Sequence, residues 1–295
     1  MPAEIGPCET AGRFPLAIRL AVASLAPMFE TSRRPLAHSV SSLGKLRMQG
    51  AWKVELLHSA PRHRLYWITR GQGRISVNCI TRGYGPNTAV YVPARAPMAL
   101  ELPSQTQGLE LCLPPDDSLG LPEEPFHMRI ANIEAQGSLT SHLEKIEREL
   151  AGQAPAMERA LAAYSLLVSV WMARELARQE GAILRERSHR LVELFAERME
   201  AQFRTGRGIA DYAGQLQVTP THLSRVCKEA AGRPAHALLT ERIMYEARRL
   251  LLETDMPARE IAEHLGFSSA AYFTRAFAQA TGRTPSDFRT PARRA

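Results

Sequence analysis

The sequence predicts an α+β protein in which a small β domain is followed by helices and then by an all-helical domain. Three observations lead to this prediction: short β-forming runs over 51–114, apolar helical stripes after them, and a helix–turn–helix pattern that occurs twice over 209–289. A length of 295 residues suits about two domains. We therefore expect a partly ordered lead-in over 1–50, a sheet and helix domain over 51–183, and a helical domain over 184–295.

Six β-forming runs separated by turn residues define the first domain. The runs are WKVELL, RLYWITR, GRISVNCI, TAVYVPA, MALEL and GLELCLP, and TRGYGPN is one of the turns between them. Several short strands at about ten-residue spacing are typical of an antiparallel sandwich or barrel. The following stretch, LGLPEEPFHMR over 119–129, contains two prolines and is expected to be a linker.

Two helices are predicted after this linker. The first has an apolar stripe formed by Leu139, Leu143, Ile146 and Leu150. The second, over 157–176, is apolar around most of its circumference, so it is either buried within the subunit or paired with a partner. Its most apolar run, 161–173, is too short to span a bilayer, and we expect no membrane partner. Residues 181–188 are expected to link the two domains.

The doubled pattern lies at 209–232 and again at 259–282. The offset between equivalent residues grows from 49 to 50, so we expect one extra residue just inside the second helix of the second copy. The hydroxyl groups of Thr219 and Ser268 are expected to cap the second helix of each copy. A supersecondary unit repeated in register favours a functional motif over a chance match.

Each second helix combines a buried apolar stripe with a polar face that includes one arginine. A helix of this kind, held out by a short turn, suits the major groove of DNA. The expected DNA-binding residues are Thr221, His222, Ser224, Arg225 and Lys228 in the first copy, and Ala270, Ala271, Thr274 and Arg275 in the second. Residues 185–295 hold 18 basic and 13 acidic side chains, which agrees with a phosphate-bearing partner.

Together with the closing TGRTPSDFR over 281–289, the two copies resemble the DNA-binding domain of the AraC/XylS family of transcription regulators. The resemblance implies a long helix between the motifs, which 234–253 fits, and double-stranded promoter DNA as a partner. One departure is Gln217, where the second copy has Gly266. If the turn is left-handed there, glutamine costs about 1 kcal/mol.

Placed before this motif, the strand region resembles the cupin-like ligand-binding domain of AraC-type regulators. The resemblance implies a small organic effector in that domain and a homodimer formed through the helices that follow it. It also implies a cytoplasmic protein, and contact with RNA polymerase if the protein is an activator. A ligand-independent DNA-binding protein and a cupin-type enzyme fused to a DNA-binding domain are the alternatives.

Side chains with an apolar body and a polar group are the candidates for effector binding. They are Trp52, Arg64, Trp67 and Tyr91. Tyr66 and Trp67 must face opposite sides of a strand, so at most one of them lines the interior. Metal-dependent cupins carry a His-x-His pair, and here only His58 and His63 lie nearby, five residues apart. We therefore expect no catalytic set, metal or cofactor.

The cysteines at positions 8, 79, 112 and 227 are scattered, and none forms a Cys-x-x-Cys pair. We expect them to be reduced thiols in a cytoplasmic protein.

Overall fold

The structure, a computed structural model, describes residues 38–152, 154–179 and 187–290. Its strands are β1 Ser39–Ser42, β2 His63–Arg70, β3 Gly73–Val77, β4 Ile80–Tyr84, β5 Thr88–Val92, β6 Met98–Leu100, β7 Gln107–Leu113 and β8 Phe126–Arg129. Its helices are α1 Leu43–Met48, α2 Trp52–Glu55, α3 Ile133–Gly152, α4 Met157–Gln179, α5 Arg187–Gln202, α6 Ile209–Gln215, α7 Pro220–Ala231, α8 Ala235–Glu253, α9 Ala258–His264, α10 Ala270–Thr281 and α11 Pro285–Arg289. This order confirms the predicted α+β architecture.

The strands form two antiparallel sheets, one of five strands in the order β1-β7-β2-β5-β8 and one of three in the order β4-β3-β6. In β2, Tyr66 lies opposite Val90 of β5 and Glu110 of β7. Because side chains alternate along a strand, Tyr66 packs between the two sheets while Trp67 packs on the other face, against α3 and α4. The larger sheet is therefore covered on both faces.

Four features of the sheet domain differ from the prediction. Strand β1 and helix α1 lie inside the expected lead-in, the rest of which, 1–37, is outside the described residues. The run WKVELL contains helix α2, the expected turn TRGYGPN contains all of β4 except Ile80, and the expected linker ends in β8. β1 and β8 are edge strands paired with distant segments, and such long-range pairing outweighs local propensity.

Helices α3 and α4 pack along each other and cover the larger sheet. Met157–Arg178 of α4 is, within the described ranges, the one stretch long and apolar enough by composition to cross a membrane, and 39% of its apolar 18-residue segment is buried in the fold. Residues 181–186, most of the segment 181–188 that was expected to link the domains, lie outside the described residues.

Helices α5 to α11 form the second domain and supply most of the side chains of one buried apolar cluster. α8 joins the two helix–turn–helix units, buries Leu238, Ala247 and Leu250, and starts one residue after the predicted position because Pro234 is its N-cap. Its 19 residues span about 28 Å at 1.5 Å per residue.

The sheet domain and the helical domain share buried surface. Leu57, Cys79 and Ala99 of the sheet domain lie in the same apolar cluster as the helical core. The backbone N–H of Leu57 donates to Glu241 of α8 at 3.0 Å. The Thr81 hydroxyl donates to the carbonyl of Ala231, at the end of α7, at 3.3 Å.

Candidate nucleic-acid interface

The first helix–turn–helix consists of α6, a tight turn and α7. The turn passes through Gln217, whose φ of 57° is the left-handed value expected at this position. The Thr219 hydroxyl accepts a hydrogen bond from the backbone N–H of His222 at 3.2 Å, and Pro220 is the first helical residue. The predicted cap and the predicted place of the proline are both present.

The second helix–turn–helix consists of α9, a turn and α10. Ser269, and not the predicted Ser268, caps α10, since its hydroxyl accepts from the N–H of Tyr272 at 3.2 Å. Thr219 and Ser269 are 50 residues apart, whereas α6 and α9 end 49 residues apart. The extra residue of the second copy therefore lies in the turn and not inside the helix.

Gly266 at this second turn lies directly against another backbone segment. Its φ is 75°, and a Cβ built on it would lie 2.2 Å from the nitrogen of Gly206 and 2.8 Å from the carbonyl oxygen of Arg204. Only glycine fits this position. The equivalent Gln217 is exposed, so the first copy tolerates a side chain there at the expense of a strained φ.

Helix α7 presents the predicted polar face to solvent. Thr221, His222, Arg225 and Lys228 are exposed and Ser224 is half-buried, while the opposite stripe is buried in the core. Arg225 donates to Glu229 at 2.7 Å. Both partners of this ion pair are more than half exposed, so the pair is weak and leaves the guanidinium available to DNA.

Helix α10 presents a smaller polar face to solvent than α7 does. Ala271 and Arg275 are exposed, and Ala270 and Thr274 are half-buried. The Thr274 hydroxyl donates to the carbonyl of Ala270 at 2.9 Å, so its proton is committed to the helix backbone. Reasoning from the sequence missed Tyr272, which is 52% exposed on this helix. The 50-residue offset, which pairs it with His222, was the signal that identifies it.

A cavity of about 480 Å³ lies beside β4 and β8, which are edge strands of the two sheets. Its lining includes the apolar side chains of Ile75, Val77, Val90, Phe126 and Met128, and the polar side chains of Asn78, Glu123 and Glu124. Arg82 and His127 line it from the sheets, and His189 and Glu193 line it from α5 of the helical domain. Burial, together with the charge of Arg82, lowers the pKa of His127 to about 4, so this imidazole is neutral near pH 7.

None of the four expected effector-binding residues lines this cavity. Trp67 and Tyr91 are fully buried in the core that faces the helices, where the Trp67 indole N–H donates to Thr140 at 3.0 Å. They therefore serve as core residues, because the alternation of their strands directs them away from the space between the sheets.

Trp52 and Arg64 lie in one cluster at the junction of the two domains, joined through Tyr245 and His58, whose rings stack at 4.7 Å. Trp52, on α2, packs against the ring of Tyr245 on α8 with 5.4 Å between centroids. Arg64 lies 2.8 Å from Nε2 of His58 and 3.8 Å from the Glu110 carboxylate. The structure thus places the four residues in two groups, Trp67 with Tyr91 and Trp52 with Arg64, instead of assembling one site from them.

Comparison with known proteins bears on the helical domain. A family model described as a helix-turn-helix domain matches residues 212–291. The HTH-type transcriptional regulator ExsA of Pseudomonas aeruginosa is 32% identical over 105 residues, which are 36% of this chain and 38% of ExsA. The arabinose operon regulatory protein of Escherichia coli is 31% identical over 81 residues, 28% of each chain. The matched part thus spans about a third of the length of these two relatives.

The probable transcription factor PqrA of Proteus vulgaris is 34% identical over 93 residues, which cover 31% of this chain and 76% of PqrA. The chain belongs to the AraC family of transcription regulators. In this AraC-family protein the two helix–turn–helix units are the family's DNA-binding domain, as the doubled motif predicted.

Proposed function

We propose that this AraC-family chain regulates transcription from the cytoplasm by docking both helix–turn–helix units on double-stranded DNA. The observation that carries the proposal is the pair of exposed faces on α7 and α10, each with one arginine at its centre. Arginine bonds guanine O6 and N7 in a bidentate manner that lysine does not reproduce. The proposed DNA-binding residues are Thr221, His222, Ser224, Arg225, Lys228, Ala270, Ala271, Thr274 and Arg275.

One subunit is proposed to cover two successive major grooves. The α8 helix separates the motifs by about 28 Å, slightly less than one DNA turn of about 34 Å. Two recognition helices at this distance enter grooves on the same side of the duplex if the DNA bends slightly. Footprinting of the full chain should then show two protected segments per subunit about ten base pairs apart.

Arginine substitutions test the docking. Arg225→Ala and Arg275→Ala should each weaken binding to selected DNA by about 1–3 kcal/mol and relax base preference in one half of the site. Arg129→Ala removes the same charge from an exposed strand position and is the matched control. If both variants bind selected and random DNA as well as the control does, these helices do not read bases.

The cavity of the sheet domain is the proposed effector site. Its apolar wall suits the body of a small organic molecule, and Arg82 and neutral His127 offer polar contacts to it. Because His189 and Glu193 of the helical domain also line the cavity, an occupant contacts both domains. Such a ligand shifts DNA affinity through its different affinity for two arrangements of the domains.

Filling the cavity tests the effector site. Val77 is half-buried in its wall, so Val77→Trp should occupy the space and abolish the thermal stabilisation that a binding compound from a library of small organic acids and alcohols gives to the wild type. DNA binding without compound should persist in the variant. An unchanged thermal shift would place the effector elsewhere and favour the ligand-independent alternative.

We also propose that α4 forms a homodimer with a second copy. Leu166, Leu167 and Val170 are 45%, 45% and 43% exposed on one side of this helix, which is unusual for a solvent-facing surface. Leu167→Glu should shift the protein toward monomer in sedimentation experiments. Ile133→Glu, which changes another exposed apolar residue at the start of α3, should leave the dimer intact.

Two further parts of the proposal follow from the relatives. Because those relatives are named as transcription regulators, we favour a regulator over an enzyme. RNA polymerase is the proposed partner if the protein activates transcription.

A further inference from the structure

The exposed face of α10 differs in composition from the exposed face of α7. At 100° per residue, Arg275 lies at its centre, Ala271 lies on one side of the arginine, and Tyr272 lies on the other. The equivalent residues of α7, 50 positions earlier, are Arg225, Thr221 and His222. The second recognition helix thus has an alanine and a tyrosine where the first has a threonine and a histidine.

Tyr272 is held in place although it is exposed. Its ring lies 5.8 Å from that of Phe267 at 58°, and Phe267 packs edge-on against the fully buried Phe273 at 5.2 Å. Its backbone N–H is bonded to the Ser269 cap. A large side chain that is 52% exposed and yet oriented by an aromatic neighbour loses little conformational freedom on binding.

The position of Tyr272 along the helix is that of a base-reading residue. It is the third residue of α10, and the N-terminal residues of a recognition helix reach the base edges. Arg275 follows three residues later, which is a rise of about 4.5 Å along the helix, compared with about 3.4 Å for one base-pair step. The neighbouring Ala271 adds only a methyl group, so this end of the helix is predominantly apolar.

We propose that Tyr272 determines specificity in the second half-site by packing on the methyl group of a thymine next to the guanine bound by Arg275. This inference rests on the proposed DNA-binding function. In the major groove, thymine differs from cytosine by its C5-methyl group, and apolar side chains recognise that group. His222 leaves the first half-site without this apolar contact, so the two half-sites differ in base preference.

The test is a selection from random duplex DNA with the full chain, followed by affinity measurements on the selected site. The position that loses guanine preference in Arg275→Ala locates the second half-site. Thymine should be preferred beside it by wild type and by Tyr272→Phe, which keeps the ring, and the preference should be absent in Tyr272→Ala. His222→Ala is the matched control and should change only the first half-site.

Replacing that thymine by uracil removes only the C5-methyl group and so measures its contribution to binding. The replacement should weaken wild-type and Tyr272→Phe binding about fourfold, the effect of one buried methyl group, and should leave Tyr272→Ala unaffected. Equal sensitivity of wild type and Tyr272→Ala to uracil would overturn the inference. So would a uniform loss on all DNA in Tyr272→Phe, which would indicate a phosphate contact by the phenol. If wild type enriches no sequence, the proposed function itself fails.

Discussion

The turn of the second motif provides a sharp structural test, because one added methyl group there meets backbone atoms. A Cβ at Gly266 would lie 2.2 Å from the Gly206 nitrogen, 2.7 Å from its Cα and 2.8 Å from the Arg204 carbonyl oxygen. We predict that Gly266→Ala strongly destabilises the protein. Two effects act together: the left-handed φ of 75°, and the displacement of the loop over 204–206.

The two effects can be given magnitudes. Holding alanine in the left-handed region costs about 1 kcal/mol. A neighbouring backbone cannot rotate away as a side chain can, so the clash adds roughly 2 kcal/mol on the usual scale of overpacking. The sum is about 3 kcal/mol of unfolding free energy. Gly232 is a matched control, because its φ is 72° but a Cβ there meets no other heavy atom within 4 Å.

Urea unfolding of wild type, Gly266→Ala and Gly232→Ala measures these effects separately. Gly232→Ala should lose about 1 kcal/mol, and the further loss in Gly266→Ala, about 2 kcal/mol, measures the clash. DNA affinity should fall more in Gly266→Ala, since the contact between Gly206 and Gly266 fixes the second turn against the loop that leads into the first motif. Equal stability losses in the two variants would refute this reasoning.

Three further outcomes are expected in urea unfolding. Gln217→Gly should stabilise the protein by up to about 1 kcal/mol, because it removes the strain of a φ of 57°. Burial alone raises the pKa of Glu246, but the hydrogen bond and charge of Arg249, with other arginines, hold it at about 2, below the ordinary 4.5. The contribution of this ionised carboxylate to the free energy of unfolding should therefore be fully present above pH 4.5. It should fall by up to about 3 kcal/mol as the pH approaches 2, and Arg249→Gln should reduce this loss. Trp67→Ala should lose about 3–5 kcal/mol, because the buried ring and its bond to Thr140 are removed, and a change of stability below 1 kcal/mol would contradict its place in the core.

The helical domain was predictable because its signals are local. Helical periodicity, the Thr219 cap, Pro220 and the repeat itself all operate within a few residues. The N-cap of α10, predicted as Ser268 and observed as Ser269, shows the limit of prediction from local sequence signals. Ser268 and Ser269 are adjacent serines, and only the helix geometry decides which hydroxyl reaches the N–H of Tyr272.

The sheet domain was less predictable because its pairing is long-range. Ser39 pairs with Cys112, more than seventy residues away, and nothing in the sequence around Ser39 indicates a strand partner. That none of the effector-binding candidates lines the cavity could not be predicted for a related reason. Alternation along β2 shows that Tyr66 and Trp67 face opposite sides, but it does not show which side is covered by helices.

The contacts that join the two domains could not be predicted from the sequence pattern of either domain. At this junction the N–H of Leu57 donates to Glu241, the ring of His58 stacks on Tyr245 at 4.7 Å, and the Ser59 hydroxyl donates to Glu200. These are isolated polar and aromatic contacts without periodicity. Two of them reach α8, the helix that sets the distance between the recognition helices. On the proposed function, an effector that moves residues 57–59 also moves α8 and changes DNA binding by both motifs together. A ligand-dependent change in DNA contacts confined to one half-site would show that the effector does not act through this segment.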